Sequence, residues 1–259
     1  MRALSTGAAR APIVPEVAVV VSCEHGGNAV PDAYRAAFAA CPRELLESHR
    51  GWDPGAADVA RAIAERLGAR LFVAEHTRLL VDLNRSPSHP RLFSELTRAL
   101  PRDERLRIVA NFYRPYRDAV ENEIMGAAAR GAIALHVSSH SFVPVLAGRA
   151  RRAHAALLYD PRRTAETAFA AAWRRALTDI APREWVIRRN YPYRGSADGF
   201  TTYLRKRLGD GAYLGLELEV NQALVGRADW AAHVRLLADA LAEALERWRT
   251  RAHTTGSMA

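Results

Sequence analysis

Apolar runs of strand length alternate along this chain with stretches of helical period, and the runs are continuous rather than alternating in polarity, as in VAVVVS at 17–22. A strand that alternates has one face in water. A strand that is apolar throughout is covered on both faces, which happens where helices pack on either side of a largely parallel sheet. Strands are predicted at 16–22, 70–75, 79–83, 132–138, 155–159, 185–188 and 212–220, and helices at 32–39, 54–67, 102–129, 163–179, 199–208 and 228–249. Asp53-Pro54 reads as an N-cap and first helical position, Gly68 closes that helix, and Gly131 closes the long one. The predicted architecture is an α/β three-layer sandwich with a mixed, mostly parallel central sheet. No internal repeat or low-complexity linker divides the chain, so one domain is expected over 16–250, with a flexible leader at 1–15 and a flexible tail at 251–259.

Other classes fit less well. The 259 residues contain no apolar run long enough for a membrane span, and the N-terminus has arginines but no apolar segment of a secretory signal. Two cysteines, Cys23 and Cys41, suit a reduced, cytoplasmic protein better than a disulfide scaffold. The net charge of +9 invites a nucleic-acid reading, but only one of the 37 basic residues is lysine (Lys206). The arginines are spread over helix faces with no basic stripe or nucleic-acid motif. An anionic small substrate is compatible with the same charge.

In open α/β sheets ligands bind beyond the carboxyl ends of the strands. Glu24, His25 and Asn28 follow the first strand, Asp82, Asn84 and Arg85 follow the 79–83 run, His136, Ser139, His140 and Ser141 lie in ALHVSSHSFVP, and Glu217, Glu219 and Asn221 lie in the last run. Two histidines at separate strand ends with a carboxylate on a third point to a metal site: a catalytic zinc takes three ligands from His, Asp or Glu and leaves a position for water. A neighbouring carboxylate then accepts the water's proton. His25 and His140 are the imidazole candidates. The third ligand is open among Glu24, Asn28 and Asp53. Glu24 adjoins His25 and so points to the opposite face unless the chain kinks, Asn28 offers only an amide, and Asp53 is preferred although an ordinary N-cap explains it equally well. Gly26 and Gly27 are expected to let the chain bend and to clear room for ion and substrate. An Arg beside an Asn is a common carboxylate grip.

The ordered set SCEHGGNAVP, RGWDPGA, VDLNRS, HSFVPVLAG, LLYDPRR, NYPYRGSADGFTTYLR and GLELEVNQ, from about residue 16 to 245, resembles the N-formylglutamate amidohydrolase family. That resemblance implies a zinc-exopeptidase-like fold, similar to zinc carboxypeptidases and to the succinylglutamate desuccinylase and aspartoacylase group. It also implies a metal-dependent hydrolase releasing formate from N-formyl-L-glutamate, in histidine breakdown. By position, His25 resembles the first zinc ligand, His140 the last, Glu217 the general base, and Asn84 with Arg85 the pair that holds a substrate carboxylate. Asn28 stands where carboxypeptidase relatives carry a ligand Glu. Zn2+ is the expected cofactor, with cobalt, nickel, manganese or iron able to use the same ligands.

Plainer readings remain for other residues. His136 lies inside a strand and reads as a core or supporting histidine, while His49, His76, His89 and His154 read as solvated. Ser22, Ser139 and Ser141 lack a Gly-x-Ser-x-Gly elbow. Glu217 and Glu219 share a strand face, so either can serve as base. Asn190, Tyr193, Arg194 and Asp198 form a polar loop expected to touch substrate, or else a structured turn around Pro192 and Gly195. Cys23 reads as buried and inert. Neither nucleic acid nor membrane is an expected partner, and the sequence leaves the oligomeric state open.

Overall fold

A computed structural model describes residues 16–256, with side chains to 250. Its six-stranded sheet contains β1 (Val17–Cys23), β2 (Arg70–Val73), β3 (Ile133–Phe142), β6 (Ala155–Leu158), β7 (Ile187–Arg189) and β8 (Tyr213–Asn221), in the order β2-β1-β3-β8-β6-β7. The first four strands of that order run parallel; β6 is antiparallel to β8, and β7 is parallel to β6. The carboxyl ends of β1, β2, β3 and β8 therefore lie at one edge. A hairpin of β4 (Val145–Leu146) and β5 (Arg149–Ala150) follows β3.

Helices cover both faces, as continuous apolar strands require. On one face α2 (Ala56–Leu67), α5 (Thr164–Ile180) and α7 (Trp230–Gly256) bury Ile63, Trp173 and Leu241 against Val21, Val137 and Leu216. On the other, α4 (Arg114–Ala129) and α6 (Phe200–Arg205) pack Val120, Ile124 and Phe200 on Val20, Ala134 and Tyr213. This is the expected three-layer α/β sandwich with a mixed, mostly parallel sheet. A third apolar cluster, including Phe38, Leu80 and Ile108, lies beneath the segments that flank the sheet edge.

Several expectations need correction. The run at 79–83 is buried but is not a strand. The carbonyls of Leu79 and Leu80 accept hydrogen bonds from the hydroxyls of Ser94 and Thr97, so the segment satisfies its backbone without a ladder. The long helix at 102–129 is α3 (Arg102–Ile108) and α4 joined by a π turn at Val109–Tyr113, where the widened turn accommodates Pro115. A short α1 (Arg43–Glu47) was not expected. Asp53 is not the N-cap of α2: Gly55 holds that position at φ 79°, and the Asp53 carboxylate meets His25, His140 and Arg78 instead. The last helix runs to Gly256 instead of stopping at 249, so the expected tail is helical through 256. Residues 1–15 of the expected leader and 257–259 lie outside the described residues. Among the described residues no helix is long and apolar enough to cross a membrane.

Candidate metal centre

The parallel register fixes where the polar side chains meet. Ser22 of β1 pairs with Ser138 of β3, Ser138 with Glu217 of β8, and His140 with Glu219. His25 follows β1 by two residues, and its carbonyl accepts the Asp53 N–H at 2.9 Å, which pins the start of α2 to the end of β1. Ser139 and Ser141 secure the same junction by donating to the carbonyls of Ala56 and Pro54. Both serines thus have structural partners. Gly26 and Gly27 serve close approach: a Cβ on Gly27 would stand 2.2 Å from the Glu75 carbonyl oxygen, and one on Gly26 would strike Val73. They seat the loop against the end of β2 and do not clear room for ion and substrate.

The ligand atoms of His25, Asp53 and His140 lie within 4.8 Å of one another, and all three residues are buried. Asp53 Oδ2 is 3.3 Å from His25 Nδ1 and 2.9 Å from His140 Nδ1. Each imidazole is backed on its other nitrogen. His25 Nε2 donates to Asp82 Oδ1 at 2.8 Å. His140 Nε2 faces Ser138 Oγ at 2.9 Å and Glu24 Oε2 at 3.3 Å. The Ser138 hydroxyl gives its hydrogen to Glu24, so it accepts from His140 Nε2–H. The Asn84 amide nitrogen, 3.2 Å away, meets that N–H donor to donor and is the weakest of these contacts. With hydrogen on both Nε2 atoms, both Nδ1 lone pairs aim at the carboxylate oxygen of Asp53. Three acceptors then converge on one point. Only protons or a cation can hold them together, and a divalent ion on two imidazoles and a carboxylate fits this donor set, with the carboxylate–histidine pairs typical of metal ligands behind it.

The charges agree. Burial alone would raise the Asp53 carboxyl, but His25, His140 and Arg78 outweigh it and hold it well below the usual range. Asp82 is held down in the same way by Arg78 and His25. Arg78 bridges both acids, with Nη1 3.3 Å from Asp53 Oδ1 and Nη2 2.7 Å from Asp82 Oδ2. Burial would lower His140, yet Asp53 and Glu24 favour a second proton on its ring, on the Nδ1 that a cation would otherwise take, and raise it well above an ordinary histidine. Glu24, buried with Oε1 unpartnered, completes an excess of negative charge around the site.

The other expected residues divide. Glu24 stands behind His140 as its supporting carboxylate. Asn28 donates its amide to the Leu46 carbonyl. His136 is a core histidine between Ser22 and Tyr213, at 2.7 and 2.8 Å, and burial pulls its pKa down to about 4. A cleft of about 690 Å³ opens over His25, Asp53 and His140 and is lined by Asn84, Arg85, Tyr193, Arg194, Glu217 and Glu219 among others. His49, expected as solvated, is on its wall. Asn190 is not among its lining residues; its side-chain oxygen accepts from the N–H groups of Tyr159 and Gly195 and shapes the loop from below. Asn84 has its oxygen on the Phe200 N–H at 2.7 Å. Glu217 Oε1 accepts the Thr201 hydroxyl at 2.6 Å. Burial pushes Glu219 up to about 8, His140 pulling it down and Asp53 and Glu217 pushing it up, and its Oε2 has no partner.

Sequence reasoning noted Asp82 but gave it no role, and missed Arg78, Ser138 and Arg117. Arg117 of α4 is buried; its Nη1 donates to the Leu83 carbonyl at 2.9 Å, and its guanidinium lies 3.9 Å from the Phe200 ring centre. Tyr113 donates to the Arg85 carbonyl at 2.7 Å. Together they hold the 82–85 segment that presents Asp82 to His25. The spacing of Arg78 four before Asp82 and Ser138 two before His140 is the only trace of this in the sequence.

A family model for N-formylglutamate amidohydrolase matches residues 17–226. The chain belongs to the N-formylglutamate amidohydrolase family. Two solved structures show the same fold over nearly the whole length. One, the gene product Atu2144 from Agrobacterium tumefaciens, superposes with a TM-score of 0.76 at 28% identity, covering 90% of this chain and 92% of that one. The other, an N-formylglutamate amidohydrolase from Ralstonia eutropha JMP134, gives a TM-score of 0.67 at 18% identity, covering 93% and 96%. No curated protein sequence matches the chain.

Proposed function

We propose that this family member is a zinc-dependent amidohydrolase that releases formate from N-formyl-L-glutamate. The convergence of His25, Asp53 and His140 ligand atoms at the floor of a cleft carries the reading. A divalent ion held there supplies Lewis acidity toward the formyl oxygen and makes water more acidic. The chain's own groups do the rest. A carboxylate of β8 takes the proton from the attacking water and returns it to the leaving amine. Glu217 is the base that the family resemblance implies. Specific observations favour its neighbour Glu219: it is the register partner of His140, its Oε2 has no partner, and Glu217 is already engaged by Thr201. We therefore give Glu219 the proton transfer and Glu217 a supporting place beside it; burial favours the neutral form of Glu219, and the positive charge of a divalent ion at the neighbouring site would favour the carboxylate that accepts the proton. Arg78, fully engaged with Asp53 and Asp82, orients the metal ligands. Arg85 and Arg194, with Tyr193, hold the glutamate carboxylates, and Asn84 fixes the segment next to His140.

The test is formate release from N-formyl-L-glutamate by the zinc-loaded protein and by Glu219→Gln and Glu217→Gln. Glu219→Gln is expected to lower kcat by about 10²–10⁴-fold with zinc retained, and Glu217→Gln by less. The reverse order returns the base role to Glu217. No formate release by a zinc-loaded wild type removes the proposed substrate.

A further inference from the structure

The cleft offers more than a single N-formyl amino acid needs. Its volume, about 690 Å³, falls in the roughly 300–1,000 Å³ range of sites that enclose drug-sized ligands. Its cations are also unequally engaged. Near the floor, Arg78 is tied to two carboxylates. Arg85 gives Nη1 to the Asp198 carbonyl at 3.0 Å, and its Nε lies 3.9 Å from Asp82, which leaves Nη2 for a substrate. Farther out, the segment 91–98 forms a wall. There Glu95 is paired with Arg50 and also feels the charge of Arg98, but the guanidinium groups of Arg91 and Arg98 themselves make no hydrogen bond or ion pair among the described residues. Both are exposed, and both face the same cleft as the metal ligands. A free guanidinium fork matches a carboxylate in geometry and charge. N-formylglutamate has two carboxylates, for which Arg85 and Arg194 suffice.

We propose that Arg91 and Arg98 form an outer anion subsite, so that the same site turns over an N-formylated acidic dipeptide more efficiently than N-formyl-L-glutamate itself. This rests on the amide-hydrolase reading above and extends it: the scissile amide sits at His25, Asp53 and His140, and the first side-chain carboxylate stays with Arg85. The first α-carboxyl is consumed in the peptide bond, so the second residue's α-carboxylate takes its place on Arg194 while its side-chain carboxylate reaches the 91–98 wall.

Formate release by the zinc-loaded full chain is compared for N-formyl-Glu, N-formyl-Glu-Glu and N-formyl-Glu-Ala, in the wild type and in an Arg91→Ala/Arg98→Ala double variant. The acidic dipeptide is expected to exceed both others in kcat/KM by about tenfold, the worth of one charged hydrogen-bonded contact. In the double variant the ratio collapses toward one. Equal kcat/KM for the three, or a ratio that survives the double substitution, overturns the subsite. Calorimetric binding of unformylated Glu and Glu-Glu to the same proteins reads the subsite without turnover. Tighter binding of Glu-Glu that disappears in the double variant supports it even if no formyl compound is cleaved, a result that would sink the deformylase reading alone. Equal binding of the two overturns the subsite whether or not formate is released.

Discussion

His136 and His140 stand on the same strand, both buried, and yet the middle of β3 and its end treat imidazole in opposite ways. In the middle, the ring meets a serine and a tyrosine hydroxyl, and burial pulls its pKa down to about 4. At the end, burial pulls the same way but Asp53 and Glu24 stand against the ring, and the pKa rises. Depth in the protein does not set these two histidines apart; the carboxylates in contact with the ring do. The sheet edge supplies them because that is where segments outside the sheet, carrying Glu24, Asp53 and Asp82, can close on the strand ends.

The comparison can be broken at either end. The largest effect is expected from His140→Ala: loss of bound zinc and a fall in activity beyond the 10–100-fold typical of an outer partner. Retained zinc, read by elemental analysis, would place the ligands elsewhere. Next, Glu24→Gln and Asp82→Asn remove the carboxylates behind the two rings. Each should weaken zinc affinity by about 10–100-fold in competition with a chromogenic chelator, with the fold intact; unchanged affinity would deny them the orienting role. At the other end, His136→Phe leaves Ser22 and Tyr213 without their shared partner. It should cost about 1–3 kcal/mol in urea unfolding while zinc affinity stays as in the wild type, and a loss of zinc instead would erase the distinction.

The smallest effect is in pH dependence. Folded His136 refuses a proton that the unfolded chain accepts below about 6.5, so the unfolded state binds more protons and the fold loses stability as pH falls from about 6.5 toward about 4. His140 has the opposite sign in the metal-free protein: its stabilisation is full below about 6.5 and is lost as pH rises through its folded value. Urea midpoints of the metal-free wild type and His136→Phe from pH 4 to 7 should show the acid-side slope reduced in the variant, by at most about 1.4 kcal/mol per pH unit. Parallel slopes would contradict the assignment.

Much of this was legible in the sequence for physical reasons. Strands covered on both faces write themselves as apolar runs, and polar residues that interrupt such runs at one edge mark the site; His25, His140 and the Glu217–Glu219 pair were read this way. The misreadings share a cause. The 79–83 run is apolar because it is buried, and burial without a ladder looks the same in a one-dimensional pattern. Asp53 before a proline satisfies every local rule for a cap, and only the left-handed Gly55 at the helix start, with the imidazoles that the Asp53 carboxylate meets, shows that it does not cap. Glu24 and Arg117 act on groups far away in the chain, where spacing carries no signal.

The account stands most directly on zinc stoichiometry measured side by side in three zinc-loaded, dialysed proteins. About one zinc per chain in the wild type and in His136→Phe, and none in His140→Ala, is the predicted result. Zinc held equally by all three, or by none, would contradict a metal centre built on His25, Asp53 and His140.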